Sequence, residues 1–239
     1  MTKVWNSIWD SYKDIPTEQI MNEPAGKTQR AEFAELLMKH FDIKGKSILE
    51  VGTGTGQYSI ELSKHGAFCT GIDLEQGSVD LATRIASDSQ ADNCVFNETD
   101  VFDINLDYNY DIVFSMGTVE HFTKKEIVTM FKKMTEIADI VVVGVPYSGS
   151  HAYMFAKEIS MAMNTWRYGV ENDFWTLKNL FEASDIRMIE EQTIGLVSEA
   201  MYLKRVNQQL IPVQIKINED KKKAGKPYGS WLISIGGPA

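Results

Sequence analysis

The stretch Ile48-Leu49-Glu50-Val51-Gly52-Thr53-Gly54-Thr55-Gly56-Gln57 decides how this chain folds. Ser47 to Val51 is a short apolar run broken only by Glu50, the pattern of a buried parallel strand. The three glycines that follow allow a tight bend and a close approach of backbone to ligand, where a Cβ atom would collide. A helix beginning after the bend would aim its unpaired N–H groups at the same ligand. A strand, a glycine bend and a helix in this order read as a nucleoside-cofactor site.

The rest of the chain is consistent with one α/β unit. From Ser47 onward, β-branched runs near 47–51, 68–72, 94–98, 110–115 and 139–144 alternate with helical patterns at 57–65, 77–88 and 123–136. Thr123, with Glu126 three residues on, predicts a capping box at the start of the last of these helices. Ile186–Ile194 and Ser230–Ile235 read as two further strands, joined by a long, partly helical connection punctuated by Gly195 and Pro212. Upstream, Trp5 and Trp9 are four residues apart, so they either pack an N-terminal helix onto the domain or close it as a lid over the ligand.

Composition narrows the function classes. With 239 residues and 44% hydrophobic content, the chain can bury a full core without disulfide or metal staples. Cys69 and Cys94 each fall in a predicted strand without metal-like spacing and read as reduced packing residues. A formal charge of −9 argues against nucleic acid, whose binders neutralise phosphates with clustered Lys and Arg. The one basic cluster, Lys221–Lys223 with Lys226, reads as a solvated loop. No run is long enough to span a membrane and the N-terminus lacks a signal-peptide core, so a cytoplasmic protein is expected.

Acidic residues stand where a nucleoside would need them. Asp73, at the end of the second strand, suits ribose hydroxyls, and Asp100, after the third, suits an adenine amino group, with Val101 and Leu74 beside them. Either aspartate could instead cap the next helix. Dinucleotide-binding proteins prefer G-x-G-x-x-G, which would need glycine where Gln57 stands.

The E-x-G-x-G-x-G pattern, Asp73, Asp100, Tyr110-Asp-Ile-Val-Phe-Ser115 and Val119-Glu-His-Phe122, in this order, resemble the class I S-adenosylmethionine-dependent methyltransferases. The resemblance implies a doubly wound, Rossmann-like seven-stranded sheet of order 3-2-1-4-5-7-6, with strand 7 antiparallel and helices on both faces. It implies one domain over 1–239: a helical lid at 1–45, a cofactor half at 46–145 and an acceptor half at 146–239. By the same resemblance, Glu50, Gly52, Gly54, Gly56, Asp73, Leu74, Asp100, Val101 and Met116 would hold S-adenosyl-L-methionine, and its product S-adenosyl-L-homocysteine, with Tyr12 closing over it.

His121, at the rim beside the fourth strand, is the candidate catalytic base, since histidine can take a proton near neutral pH. Alternatively, Glu120 and His121 shape the loop or touch the cofactor. Tyr147, His151, Trp166, Tyr168 and Glu171, in a mixed aromatic and polar segment, are candidates for the acceptor site. There is no Asn-Pro-Pro-Tyr sequence of the exocyclic-amine type, no Pro-Cys nucleophile and no convincing carboxylate triplet for a metal. The expected activity is methyl transfer to O or N of a small metabolite, by a monomer or a homodimer. A non-catalytic cofactor-binding sensor or partner subunit, and an NAD(P)-dependent oxidoreductase, are the alternatives.

Overall fold

The computed structural model describes residues 2–104, 109–205 and 207–239. Three helices, α1 (Thr2–Asp10), α2 (Thr17–Met21) and α3 (Pro24–His40), precede the sheet. Strands β1 (Ser47–Val51), β2 (Phe68–Asp73), β3 (Cys94–Glu98), β4 (Tyr110–Met116) and β5 (Ala138–Pro146) then alternate with α4 (Gln57–Ser63), α5 (Gln76–Asp88) and α6 (Lys124–Ile137). After β5 come α7 (His151–Ala162), α8 (Lys178–Ala183), β6 (Ile186–Ile194), α9 (Leu196–Tyr202), α10 (Ile211–Lys223) and β7 (Trp231–Pro238).

The sheet order is β3-β2-β1-β4-β5-β7-β6, with β7 antiparallel to both of its neighbours. All pairings from β3 to β5 are parallel, so the carboxyl ends of β1, β2, β3 and β4 open along one edge of the sheet. Alternation of side chains distributes the core over both faces. Leu49, Val113, Val141, Val143 and Leu232 pack with α6 and α8 through Ile127, Phe131 and Phe181. Ile48, Phe114, Val142, Ile233 and Ile235 pack on the opposite face with Phe33 and Leu37 of α3.

Local signals explain several boundaries. Thr123 and Glu126 form the reciprocal capping box expected at the head of α6. Pro212 sits in the first turn of α10, where its missing N–H costs nothing. Among the described residues the connection after β6 comprises α9, two short 3-10 turns and α10, and Lys221, Lys222 and Lys223 form the last turn of α10 rather than a loop. Their charges there complement the helix dipole. Cys69 and Cys94 are free thiols on register-paired positions of β2 and β3.

Glu50 is the one acidic residue in β1, and it is 2% exposed. Its Oε2 accepts from the Thr53 hydroxyl at 3.0 Å, the Ser59 hydroxyl at 2.6 Å and the Ser59 N–H at 3.3 Å, tying the strand across the glycine bend to α4. Gly56 caps α4 with φ +68°, and a Cβ there would lie 2.7 Å from the Phe96 ring, so both conformation and space demand glycine. The α1 to α2 segment is latched to the domain by arginines. Arg84 of α5 donates to the Tyr12 and Ile15 carbonyls, and Arg30 of α3 donates to the Met21 carbonyl and to Gln57.

Phe131 and Phe181 are fully buried and meet edge to face, with centroids 5.4 Å apart. Phe131→Ala should therefore lower stability in urea unfolding by about 3–5 kcal/mol. Burial pushes the Glu50 carboxyl up to about 8, against the lowering effect of its hydroxyl partners. The folded protein then holds a proton that the unfolded chain releases near its ordinary 4.5, so stability falls as pH rises from about 4.5 to about 8. Glu50→Gln should flatten that decline in denaturation curves taken across the window.

Candidate active site

The carboxyl ends of β1, β2 and β4 and the turn after β3 enclose a cavity of about 380 Å³, covered by α1. Every sequence-predicted cofactor residue except Gly56 lines it: Tyr12, Glu50, Gly52, Gly54, Asp73, Leu74, Asp100, Val101 and Met116. Gly56 lies just behind the wall, packed on Phe96 and Ala82.

Asp73 serves the bend and the cavity together. Its Oδ2 accepts from the Gly54 N–H at 3.0 Å and the Ser78 hydroxyl at 2.8 Å, while Oδ1 accepts from the Glu75 N–H at 3.1 Å. The carboxylate is thereby fixed in orientation while lining the cavity. Asp100 caps the short 3-10 turn Val101–Asp103 by accepting from the Phe102 N–H, and it also lines the cavity. Leu74 is a largely exposed apolar wall at the mouth.

The residues fit a nucleoside cofactor by two further observations. Gly54 takes φ +53° directly under the Trp9 ring, where a Cβ would lie 3.2 Å from that ring, so glycine lets the bend and the tryptophan close on each other at the cavity wall. Trp9 itself lines the cavity, and its Nε1 is buried without a protein partner. Trp5 stacks on Trp9 at 5.8 Å and meets the His121 ring edge-on at 5.0 Å, so the two tryptophans both dock α1 and roof the cavity.

A second cavity of about 400 Å³ adjoins the first, sharing Trp5, Met116, Gly117, His121 and Tyr168 as common lining. Trp166, Tyr168 and Glu171 of the predicted acceptor set line it. Tyr147 and His151 do not: the Tyr147 ring packs against Trp175, and His151 is exposed at the first position of α7. The other polar groups of this cavity come from residues that sequence reasoning did not single out. Tyr153, Ala156, Lys157 and Ser160 share one face of α7, and Tyr202 and Trp231 close the far side. The 3- and 4-residue spacing of Tyr153, Lys157 and Ser160, which puts them on one face of the helix, was the available signal.

His121 stands where the cavities meet, its side chain 8% exposed. Nδ1 lies 3.0 Å from the Val170 carbonyl, which places a proton on Nδ1 and leaves Nε2 as the basic nitrogen. Burial lowers its pKa below the ordinary 6.5, outweighing the Val170 contact, so the ring is neutral at pH 7. Glu120 is 2% exposed, with Oε1 3.9 Å from His121 Nε2 and with no hydrogen-bond partner for Oε2. Burial, reinforced by Glu171, pushes the Glu120 carboxyl up to about 8. Glu171 is satisfied instead by the Tyr153 hydroxyl at 2.6 Å and the Lys157 ammonium at 3.1 Å.

Glu120, His121 and Glu171 each place a ligand atom within 4.8 Å of the others, a carboxylate–histidine cluster not foreseen from the sequence. The Lys157 ammonium already neutralises Glu171, so a divalent cation there would sit beside a like charge.

Comparison with known proteins agrees with this geometry. Residues 48–139 match the model of a methyltransferase domain. A ubiquinone biosynthesis O-methyltransferase of Coxiella burnetii is 32% identical over 104 residues, covering 41% of this chain and 44% of that protein. A protein of Methanocaldococcus jannaschii described as a putative protein N5-glutamine methyltransferase is 38% identical over 85 residues, covering 35% and 42% respectively. The chain thus spans less than half the length of these curated relatives. Among solved structures, magnesium protoporphyrin IX methyltransferase of Synechocystis, with bound S-adenosylhomocysteine, superposes over 100% of this chain and 94% of that one, at a TM-score of 0.65 and 15% identity. With the glycine bend, the acidic strand ends and the sheet order in place, residues 48–139 match a methyltransferase domain, and the chain as a whole shares the fold of the solved methyltransferase it superposes on.

Proposed function

We propose that this protein transfers a methyl group from S-adenosylmethionine to a small molecule seated in the second cavity. The observation that carries this reading is the junction of the two cavities at Met116, Gly117 and His121, which brings a nucleoside site and an enclosed acceptor site into line. When bound, S-adenosylmethionine supplies an activated methyl group on a sulfonium, so the protein's work is chiefly positioning and exclusion of water.

The chain's own residues divide that work. The Gly52–Gly54 bend admits the aminoacyl and ribose portion, Asp73 holds the ribose hydroxyls, and Asp100 with Val101 takes the adenine edge. Trp5 and Trp9 roof the site and keep water from the transferred group. His121 receives the acceptor's proton where one must be lost, since its neutral imidazole stands at the entrance to the acceptor cavity, 3.9 Å from the Glu120 carboxyl. Among the described residues no helix is long and apolar enough to cross a membrane, which suits an acceptor met in water.

Calorimetric titration with S-adenosylmethionine, S-adenosylhomocysteine and NAD⁺ tests the cofactor assignment. Micromolar binding of the first two and none of the third is expected, and binding of NAD⁺ alone would overturn the reading. Asp73→Ala should weaken the first two by about 1–3 kcal/mol through loss of charge-assisted hydrogen bonds. His121→Ala should lower turnover about a hundredfold; a normal rate and a normal pH profile would remove it from the mechanism.

A further inference from the structure

The second cavity holds one buried acidic group without a partner, and that group identifies what the cavity is built to receive. Two carboxylates face it from different elements: Glu120 from the turn after β4 and Glu171 from the segment after α7. The buried cation is Lys157, and it belongs to Glu171, 3.1 Å away, with Asp173 a further 3.8 Å contact at the surface. Arg167 also lines the cavity but is exposed, so solvent screens its charge. His121 is kept neutral by burial. Glu120 is therefore left without a cation, and its Oε2 is buried without a hydrogen-bond partner. A buried polar atom in that condition costs free energy unless a ligand satisfies it.

The surrounding walls are aromatic. Tyr153 and Tyr202 meet at 5.1 Å, Trp166 and Tyr168 at 5.1 Å, and Trp231 lies against Gly117. Trp166 already presents its ring to a cation, with the Lys157 ammonium 5.6 Å from its centroid. A carboxylate in want of a cation, set in an aromatic enclosure, matches an ammonium group carried on an apolar body and matches a neutral alcohol poorly.

We propose that the methyl acceptor is an amine, bound as its ammonium ion against the Glu120 carboxyl, with an aromatic or hydrocarbon body against Tyr153, Trp166, Tyr202 and Trp231. This rests on the methyl-transfer reading above and names the substrate class for that site. Binding brings the ammonium nitrogen beside Met116 and Gly117, which line both cavities. One N–H proton passes to the Glu120 carboxylate, freeing the nitrogen lone pair. The nitrogen attacks the methyl carbon: the N–C bond forms, the C–S bond breaks, and sulfur keeps its electron pair as a neutral thioether. The product leaves as the methylated ammonium ion, and the proton on Glu120 returns to solvent. With the cavity empty, burial keeps Glu120 protonated at neutral pH; an ammonium ion seated beside it favours the ionised form, so Glu120 releases that proton to solvent on binding and is then free to take one from the nitrogen.

Matched pairs of amine and alcohol provide the test: phenethylamine with 2-phenylethanol, and tryptamine with tryptophol. Each is titrated into the full protein loaded with S-adenosylhomocysteine and assayed for turnover with S-adenosylmethionine, alongside Glu120→Gln. The amine of each pair should bind and react about tenfold or more better than its alcohol. In Glu120→Gln that preference should vanish while affinity for S-adenosylmethionine stays within about twofold, which also verifies that the variant folds. Equal response to amine and alcohol, or a preference that survives in Glu120→Gln, overturns the proposal. Magnesium-dependent turnover of catechol with silence from the amines also overturns it, and reassigns Glu120, His121 and Glu171 to a cation. Absence of S-adenosylmethionine binding would refute the methyl-transfer reading instead, a failure visible separately from amine binding.

Discussion

The cofactor side of this protein depends on one buried carboxyl group. Glu50 lies at the end of a strand that must be apolar to sit inside the sheet, and the chain accepts that desolvation because Oε2 gathers Thr53 and both donors of Ser59. These bonds set the entry and exit of the glycine bend. Asp73 completes the frame from the next strand by accepting the Gly54 N–H, and Ser78 bridges the Gly54 carbonyl to the same Asp73 oxygen. A bend of three glycines would otherwise be floppy; here each turn of it is tied to a neighbouring strand or helix.

From that frame the two cavities follow. The bend and the acidic strand ends define the first, and the N-terminal helices close it because Arg30 and Arg84 hold their connecting carbonyls. The second is assembled from parts distant in sequence. Asn172 donates to the Glu120 and Phe122 carbonyls, fixing the segment after α7 to the turn after β4, and that bond is what brings Glu171 opposite Glu120. The free energy stored in a buried, unpartnered carboxylate is tolerable where a ligand satisfies it, and sites of this kind commonly carry function.

Much of the fold was legible because it rests on local periodicity. The five parallel strands and the helices α4, α5 and α6 fall within a residue or two of the ranges read from alternation of apolar runs, and the capping box at Thr123 placed one boundary outright. The helices beyond β5 were harder. In α10 the apolar residues follow no single stripe, and α9 begins at Gly195, whose N–H binds Glu32 of α3, a partner 163 residues away. The acceptor residues were the least legible, since Tyr147 and His151 have the right chemistry and lie outside the cavity, while Lys157 and Tyr202, which line it, come from helices α7 and α9 that only the tertiary fold brings together.

The amino-acid sequence by itself determined the strand-bend-helix unit, the acidic strand ends and hence the class of cofactor site, because each of these is a matter of a few adjacent residues and their allowed backbone conformations. Only the tertiary structure decided which carboxylates are paired and which is left alone. That distinction depends on distances between β4's turn, α7 and the segment that follows it, and burial turns a few ångströms between them into the difference between a satisfied ion pair and an open binding group.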